Sequence, residues 1–310
     1  MVEELGDVIE HYDRYKSAFN ENPYPSFIFN LGWLITDYNK AFKSLVNLDH
    51  DDIIRRNIRH FNSGLFQSKI IRDVWKTVQN GDSWTGEIAK ISKSGNKYTQ
   101  EIVITPLLSN KGNIIEYSCD IEDITEYKKV EKEAEEAKFD ALTGLLSRRS
   151  LNDNLYKTEH NLDNVGFMFL DLDNFKHIND NYGHGVGDQV LKIVSERFKQ
   201  NSKKNDDFIY RTGGDEFCWL VTNLNNSEDD YYKMETLADR LVKKIDGPIS
   251  VLDNDGNLIY LENILTISIG ISLGKDVKTI KELVDTADQA MYRAKDYGKN
   301  CFTFYKDECF

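Results

Sequence analysis

The order of apolar segments after residue 140 sets the narrowest limit on what this chain can fold into. "VGFMFLD" reads as a buried strand, "HGVGDQVLKIVSERFKQ" as a helix, and "DFIYRTGGDEFCWLV" as two strands around a Gly-Gly turn. "YYKMETLADRLVKKI" is a second helix, "ILTISIGIS" another strand, "IKELVDTADQAMYRAKDYG" a third helix and "CFTFY" a last strand. This order contains β-α-β-β-α-β, the ferredoxin-like arrangement, in which the central hairpin lies beside the first strand. The Gly-Gly turn is then expected near the end of "FMFLDLD".

Before residue 125 the pattern differs. "SFIFNLGWLITDYNKAF", "WTGEIAKISKSGNKYTQEIVITPLL" and "IIEYSCDIEDIT" alternate apolar and polar residues around turns at "SKSGN" and "SNKGN", which predicts antiparallel strands with shorter helices between them, at "DDIIRRNI" and "SKIIRDVWKTVQNG". Between the halves, "DITEYKKVEKEAEEAK" reads as one helix, with Asp123 and Glu126 in the spacing of a capping box and an apolar seam at Tyr127, Val130, Ala134, Ala137 and Ala141. Such a seam suits packing against a second copy, and equally a solvated connector. The expected division of this α+β chain is 1–124, 125–139 and 140–310.

Charge limits the partners. With 52 acids against 39 bases the net charge is -13, which argues against a protein that coats long nucleic acid. No apolar run approaches the ~20 residues of a membrane helix, and "MVEELGDVIEHYDRYK" is too charged for a secretory signal, so a cytoplasmic protein away from membranes is expected. Cys119, Cys218, Cys301 and Cys309 form no CxxC pair and indicate neither a disulfide framework nor a zinc site.

The acids carry the chemical information. Asp171 and Asp173 close the first strand and, two apart, share one face; Asp215 and Glu216 stand at the hairpin turn. Carboxylates converging this closely repel unless a cation lies between them, and Mg²⁺ prefers one or two carboxylates plus substrate phosphates. Gly213 and Gly214 admit positive φ and a close ligand approach. The plain alternative is a hairpin turn with solvated acids. Against it stand Lys176, Asn179 and Asp188 around a Gly-rich loop before a helix, and Lys295 and Lys299 near a helix end. An amide and a carboxylate can read a guanine edge while ammonium groups offset phosphate charge, which together suggest a nucleoside triphosphate site.

Residues 140 to 310 resemble the GGDEF domain of diguanylate cyclases, through "DALTGLLSRR", "FLDLDNFKHINDNYGHGVGD", "RTGGDEF", "TISIGIS" and "AMYRAKDYGKN" in that family's order. The resemblance implies an enzyme that joins two GTP molecules into cyclic di-GMP with release of two pyrophosphates. It assigns Asp171, Asp215 and the Leu172 carbonyl to the metal, Glu216 to metal binding or activation of the 3′-hydroxyl, and Asn179 with Asp188 to guanine. It also assigns Asn174, Phe175 and Lys176 to the segment around the phosphates, and Lys295 with Lys299 to the triphosphate. Two Mg²⁺ per site are implied, with Mn²⁺ an alternative. Each domain binds one GTP, so the resemblance further implies a homodimer, formed through the linker helix and the N-terminal domain, and downstream cyclic di-GMP receptors.

Three positions depart from the family pattern. Lys299 stands where Arg is usual, which removes a bidentate fork. Ser147 replaces an Asn. "KNDD", Lys204 to Asp207, replaces the inhibitory product-site pattern, so weak or absent product inhibition there is expected.

Residues from about 14 to 124 resemble a PAS sensor domain, through "FNENPYPSFIFNLGWLITDYNKAF", "SWTGEIAKISKSGNKY" and "DIT". Trp33, Trp75 and Trp84 read as core or rim aromatics and a lone His60 as a weak haem signal, which leaves the PAS ligand unassigned. The rival readings are a catalytically weak module that binds GTP or cyclic di-GMP and signals by contact, a cyclase with a different nucleotide product, and a scaffold with inert acids.

Overall fold

The computed structural model describes residues 2–61, 70–92, 95–202, 207–253, 256–262 and 264–306 of the 310-residue chain. The chain divides into two compact units, Met1–Lys132 and Glu133–Phe310.

In the first unit α1 (Val2–Glu21) precedes β1 (Ser26–Asn30), β2 (Ile35–Tyr38), α2 (Lys40–Val46), α3 (His50–Ile53), α4 (Ile70–Val78), β3 (Trp84–Ile91), β4 (Lys97–Leu108) and β5 (Ile114–Asp123). The strands form one antiparallel sheet in the order β2-β1-β5-β4-β3. Period-two alternation turns Phe27, Phe29, Ile102, Ile104, Cys119 and Ile121 to the core, where they meet Phe42, Val74 and Val78 of the helices. Asn39 starts α2 by accepting from the Phe42 N–H at 2.8 Å and also takes the Ser26 N–H at 3.0 Å, which ties the helix to β1.

The connector differs in detail from its expected form. β5 remains paired up to Asp123, opposite Gln100, and the helix begins at Thr125, so Asp123 stands one residue before the N-cap position. Asp123 instead accepts from the Thr125 N–H at 3.0 Å, and α5 runs from Thr125 to Glu136. Ala137 and Ala141 of the expected seam lie beyond that helix, because the chain turns there into an antiparallel bridge between Phe139 and Leu146. Tyr127 and Val130 are exposed on α5, which buries no side chain.

The second unit continues with β6 (Leu146–Ser147), α6 (Arg148–Thr158), β7 (Gly166–Asp173), α7 (Phe175–Tyr182), α8 (His184–Asn201), β8 (Asp207–Gly213) and β9 (Glu216–Val221). Then follow α9 (Asp229–Ile245), β10 (Ile249–Leu252), β11 (Leu258–Leu261), β12 (Thr266–Leu273), α10 (Ile280–Asp296) and β13 (Cys301–Phe304). The main sheet has the order β13-β12-β7-β9-β8-β6, with β7 antiparallel to both β12 and β9. This is the ferredoxin-like core expected from the element order, extended by parallel edge strands.

Alternation along the strands sorts side chains between two helical layers. Met168, Leu170, Leu172, Phe217 and Trp219 join the core with Val190, Val194, Phe198 and Leu241 of α8 and α9. Phe167, Phe169, Cys218 and Leu220 join Leu151 and Leu155 of α6 and Leu283 and Ala287 of α10. Asp171 and Asp173 follow the second set, so they face the side covered by α10. On that same side β12 presents Ser268, Gly270 and Ser272, small residues that let α10 approach the sheet closely.

Two features of this unit were not anticipated. "FKHINDNY" forms a helix of its own, α7, so Lys176 and Asn179 are helical residues, and Gly183 at φ 84° separates α7 from α8. The hairpin β10–β11 was missed although "DNDGN" carries turn residues. No helix among the described residues is long and apolar enough to cross a membrane.

Candidate active site

The signature turn is built from the strand register. Glu216 pairs with both Asp171 of β7 and Gly213 of β8, which leaves Gly214 and Asp215 as a two-residue turn. The Leu172 N–H donates to the Asp215 carbonyl at 3.2 Å and fastens this turn to the end of β7. Gly214 has φ 53°, a left-handed conformation that favours glycine, and a Cβ built on either Gly213 or Gly214 would meet no atom within 4 Å. The glycines are therefore demanded by backbone conformation, and the space above them is open.

Lys295 reaches the acids from α10, its Nζ 2.9 Å from Asp171 Oδ2. Burial raises the Asp171 carboxyl above the ordinary carboxylate range; Lys295 opposes this, while the nearby charges of Asp215 and Asp173 add to it. Burial works against the Lys295 ammonium, but Asp171 outweighs it and holds the lysine pKa up. Lys299 donates from Nζ to Asn174 Oδ1 at 3.0 Å. Lys295 thus reaches Asp171 directly, and Lys299 reaches Asn174, the residue after Asp173. Glu216 is exposed at the start of β9, and Lys176 is exposed in the first turn of α7.

Asn179 of α7 lies against Gly187, the residue before Asp188 in α8. No hydrogen bond joins either to the acids among the described residues. A Cβ on Gly187 would lie 1.9 Å from Asn179 Oδ1 and 3.3 Å from Phe175 Cζ, so this glycine is what lets Asn179 rest against the first turn of α8 beside Asp188. Gly187→Ala is expected to displace the Asn179 amide, a movable group, at small cost in stability. Thermal melts of this variant should show little change in midpoint from the wild type. Next to Asp188, Gln189 donates from Nε2 to the Leu252 carbonyl at 2.7 Å and accepts the Leu252 N–H at 3.0 Å, which pins β10 to α8.

Arg211 is a second residue that the sequence reading missed. Its Nε and Nη2 donate to the Gly214 carbonyl at 3.0 and 2.9 Å, and its Nη1 donates to Asp140 Oδ1 at 3.0 Å. The turn is thereby clamped to the start of "DALTG". Burial pushes the Asp140 carboxyl up, yet the Thr143 hydroxyl and N–H and the Arg211 guanidinium outweigh it, so it lies below the usual carboxylate value. The unfolded chain therefore binds more protons, and this group's contribution to stability is present above the ordinary aspartate pKa of about 3.9 and lost as pH falls below it. Thermal midpoints of the wild type should drop between pH 5 and pH 3 (about one unit either side of that pKa) more steeply than those of Asp140→Asn.

Ser147 has a structural role: it is the N-cap of α6, accepting from the Ser150 N–H at 3.4 Å, and its hydroxyl donates to the Ala137 carbonyl at 2.7 Å. Asp207 begins β8, whereas 204–206 lie outside the described residues, as does Cys309. In the first unit Trp33 and Trp75 pack with ring centroids 4.2 Å apart. With Phe29, Ile58, Ile71, Val74 and Ile104 they bound a cavity of about 10 Å³, room for one water at most. His60 is exposed and hydrogen-bonds the Asn57 carbonyl at 3.1 Å.

The second unit is a ferredoxin-like domain with acids at the end of β7, and comparison with known families gives its place. Residues 137–301 match the family profile "Diguanylate cyclase, GGDEF domain", and residues 24–126 match a PAS domain profile. The chain is a PAS–GGDEF protein and belongs to the diguanylate cyclase family. It is 36% identical over 174 residues to the cyclic di-GMP phosphodiesterase NbdA of Pseudomonas aeruginosa, covering 54% of this chain and 21% of that one. It is 33% identical over 190 residues to the diguanylate cyclase DgcM of Escherichia coli, covering 59% and 42%. A solved GGDEF domain of DgcB from Caulobacter crescentus, in complex with c-di-GMP, aligns at 25% identity and a TM-score of 0.49, covering 55% of this chain and 97% of that one.

Proposed function

We propose that the chain is a diguanylate cyclase that condenses two GTP into cyclic di-GMP and two pyrophosphates under control of its PAS domain. The observation that carries this reading is the convergence of the buried Asp171, the Asp215 turn fastened at Leu172, and Lys295 on Asp171. Asn179 and Asp188 hold guanine, with the carboxylate accepting from its N–H groups and the amide supplying complementary bonds. The first turn of α7, at Asn174, Phe175 and Lys176, offers helix N–H groups to phosphate oxygens. Lys295 and Lys299 hold the triphosphate, and Gly213 and Gly214 leave its approach open.

The donor set fits a hard divalent cation. It is made of oxygen throughout, and the Asp171 carboxylate already carries a cationic partner in Lys295. Among the described residues no three acid, His or Cys side chains converge for a metal, so substrate phosphates would complete the shell, as Mg²⁺ commonly requires. Asp171, Asp215 and the Leu172 carbonyl would hold Mg²⁺ or Mn²⁺, with Glu216 assisting. When bound, the metal lowers the pKa of a ribose 3′-hydroxyl and offsets charge on the attacked phosphate.

One GTP per domain requires two domains face to face. The connector from Thr125 to Glu136, with Tyr127 and Val130 exposed, is the proposed pairing element together with the PAS domain. The test is incubation of the purified chain with GTP and Mg²⁺ and identification of products by mass spectrometry. Cyclic di-GMP supports the enzyme. Its absence at protein concentrations that give dimers supports the second reading, a catalytically weak module that binds GTP or cyclic di-GMP. That reading is favoured by the similarity of the same region to relatives named as phosphodiesterases.

A further inference from the structure

Asp173 shares one face of β7 with Asp171, and its contacts give it a separate task. It is 2% exposed, and its two oxygens are met by three donors. The Ser268 hydroxyl donates to Oδ1 at 2.7 Å, the Thr266 hydroxyl to Oδ2 at 2.8 Å, and the Asn300 backbone N–H to Oδ2 at 3.1 Å. Two of these donors belong to the neighbouring strand β12. The third comes from the turn that follows α10 and carries Lys299.

That turn is tied to the end of α10 by the Lys299 N–H on the Ala294 carbonyl at 3.1 Å, and further contacts come from the sheet. Lys299 and Asn300 have φ 68° and 51°, successive non-glycine residues in the left-handed region, a conformation that persists where surrounding contacts over-determine it. The Asn300 bond to Asp173 is one such contact, and the head of Lys299 is held by Asn174, the next residue along the chain from Asp173. Asn174 is itself left-handed at φ 63°, and its Nδ2 donates to the Ile264 carbonyl at 3.3 Å. Backbone and ammonium of the turn are thus fastened to two consecutive residues at the end of β7.

We propose that Asp173 is a positioning residue, not a metal ligand: it latches the Lys299–Asn300 turn to the sheet and so aims Lys299 at the outer phosphates of the nucleotide. The inference rests on Lys299 being a triphosphate cation, as in the function proposed above. Loss of the latch leaves the guanine contacts at Asn179 and Asp188 untouched. It therefore weakens a triphosphate selectively over a monophosphate, which a general loss of structure would not do.

The experiment is calorimetric titration of the full chain with Mg²⁺ and 3′-deoxy-GTP, which lacks the attacking hydroxyl, and in parallel with GMP. For Asp173→Asn, 3′-deoxy-GTP should bind about tenfold more weakly while GMP changes less than about twofold. Lys299→Ala should give the same selective loss, and the double variant should lose no more than Lys299→Ala alone, since both act through one group. Unchanged 3′-deoxy-GTP binding in Asp173→Asn, equal losses for both nucleotides, or additive losses in the double variant would each overturn the latch. A wild type that does not prefer 3′-deoxy-GTP to GMP overturns the triphosphate reading first, and the latch with it. Independently of any variant, the Asn300 amide of the wild type should exchange with solvent as slowly as amides inside β12, and rapid exchange would contradict its bond to Asp173.

Discussion

Asp215→Ala is expected to abolish cyclic di-GMP formation, by at least about a thousandfold, while leaving the thermal midpoint close to that of the wild type. The carboxylate sits in a two-residue turn whose backbone is fixed independently of it, by the Leu172 N–H on its own carbonyl and by Arg211 on the carbonyl of Gly214. Its side chain makes no hydrogen bond among the described residues, and its charge raises the neighbouring Asp171 carboxyl. Removing it therefore relieves repulsion and takes no packing from the core, so its cost falls on the proposed metal site alone. Product formation by mass spectrometry alongside a thermal melt checks both halves. Turnover retained within about tenfold of the wild type would remove Asp215 from any role as a principal metal ligand.

Gly270→Ala is expected to have the largest effect on stability, about 3 kcal/mol or more, because the added methyl group has no flexible neighbour to displace. Its Cβ would lie 2.0 Å from the Ala287 carbonyl oxygen, 2.1 Å from the Met291 N and 2.8 Å from the Ala290 carbonyl carbon, all backbone atoms of α10. Relief requires lifting the helix from β12 and, with it, Lys295 from Asp171. The variant should unfold at markedly lower denaturant concentration than the wild type. Gly256→Ala is the control: it meets no atom within 4 Å and carries only the strain of its φ of 84°, about 1–2 kcal/mol. Equal denaturation midpoints for the two variants would show that the close approach of α10 is not what this glycine serves.

The sequence by itself determined the α+β class and most of the order of elements, because these depend on local information. Period-two alternation marks β1, β4 and β5, an apolar run marks β7, and the β-α-β-β-α-β order leaves few ways to build the second sheet. Gly-Gly between two strands likewise announces a turn that exposes acids. Polar "FKHINDNY" carries no clear helix signal of its own, because its hydrophobic signal rests on Phe175 and Ile178, which acquire meaning only when buried beside α8. Only the tertiary structure decided what each acid does. Asp171 and Asp173 are the same residue type, two apart on one face of one strand, yet Lys295 meets the first while two hydroxyls and a distant backbone N–H meet the second. Those partners lie more than ninety positions away in the chain. A carboxylate's role is set by the donors and charges around it in space, and no local pattern in the chain encodes which of them will arrive.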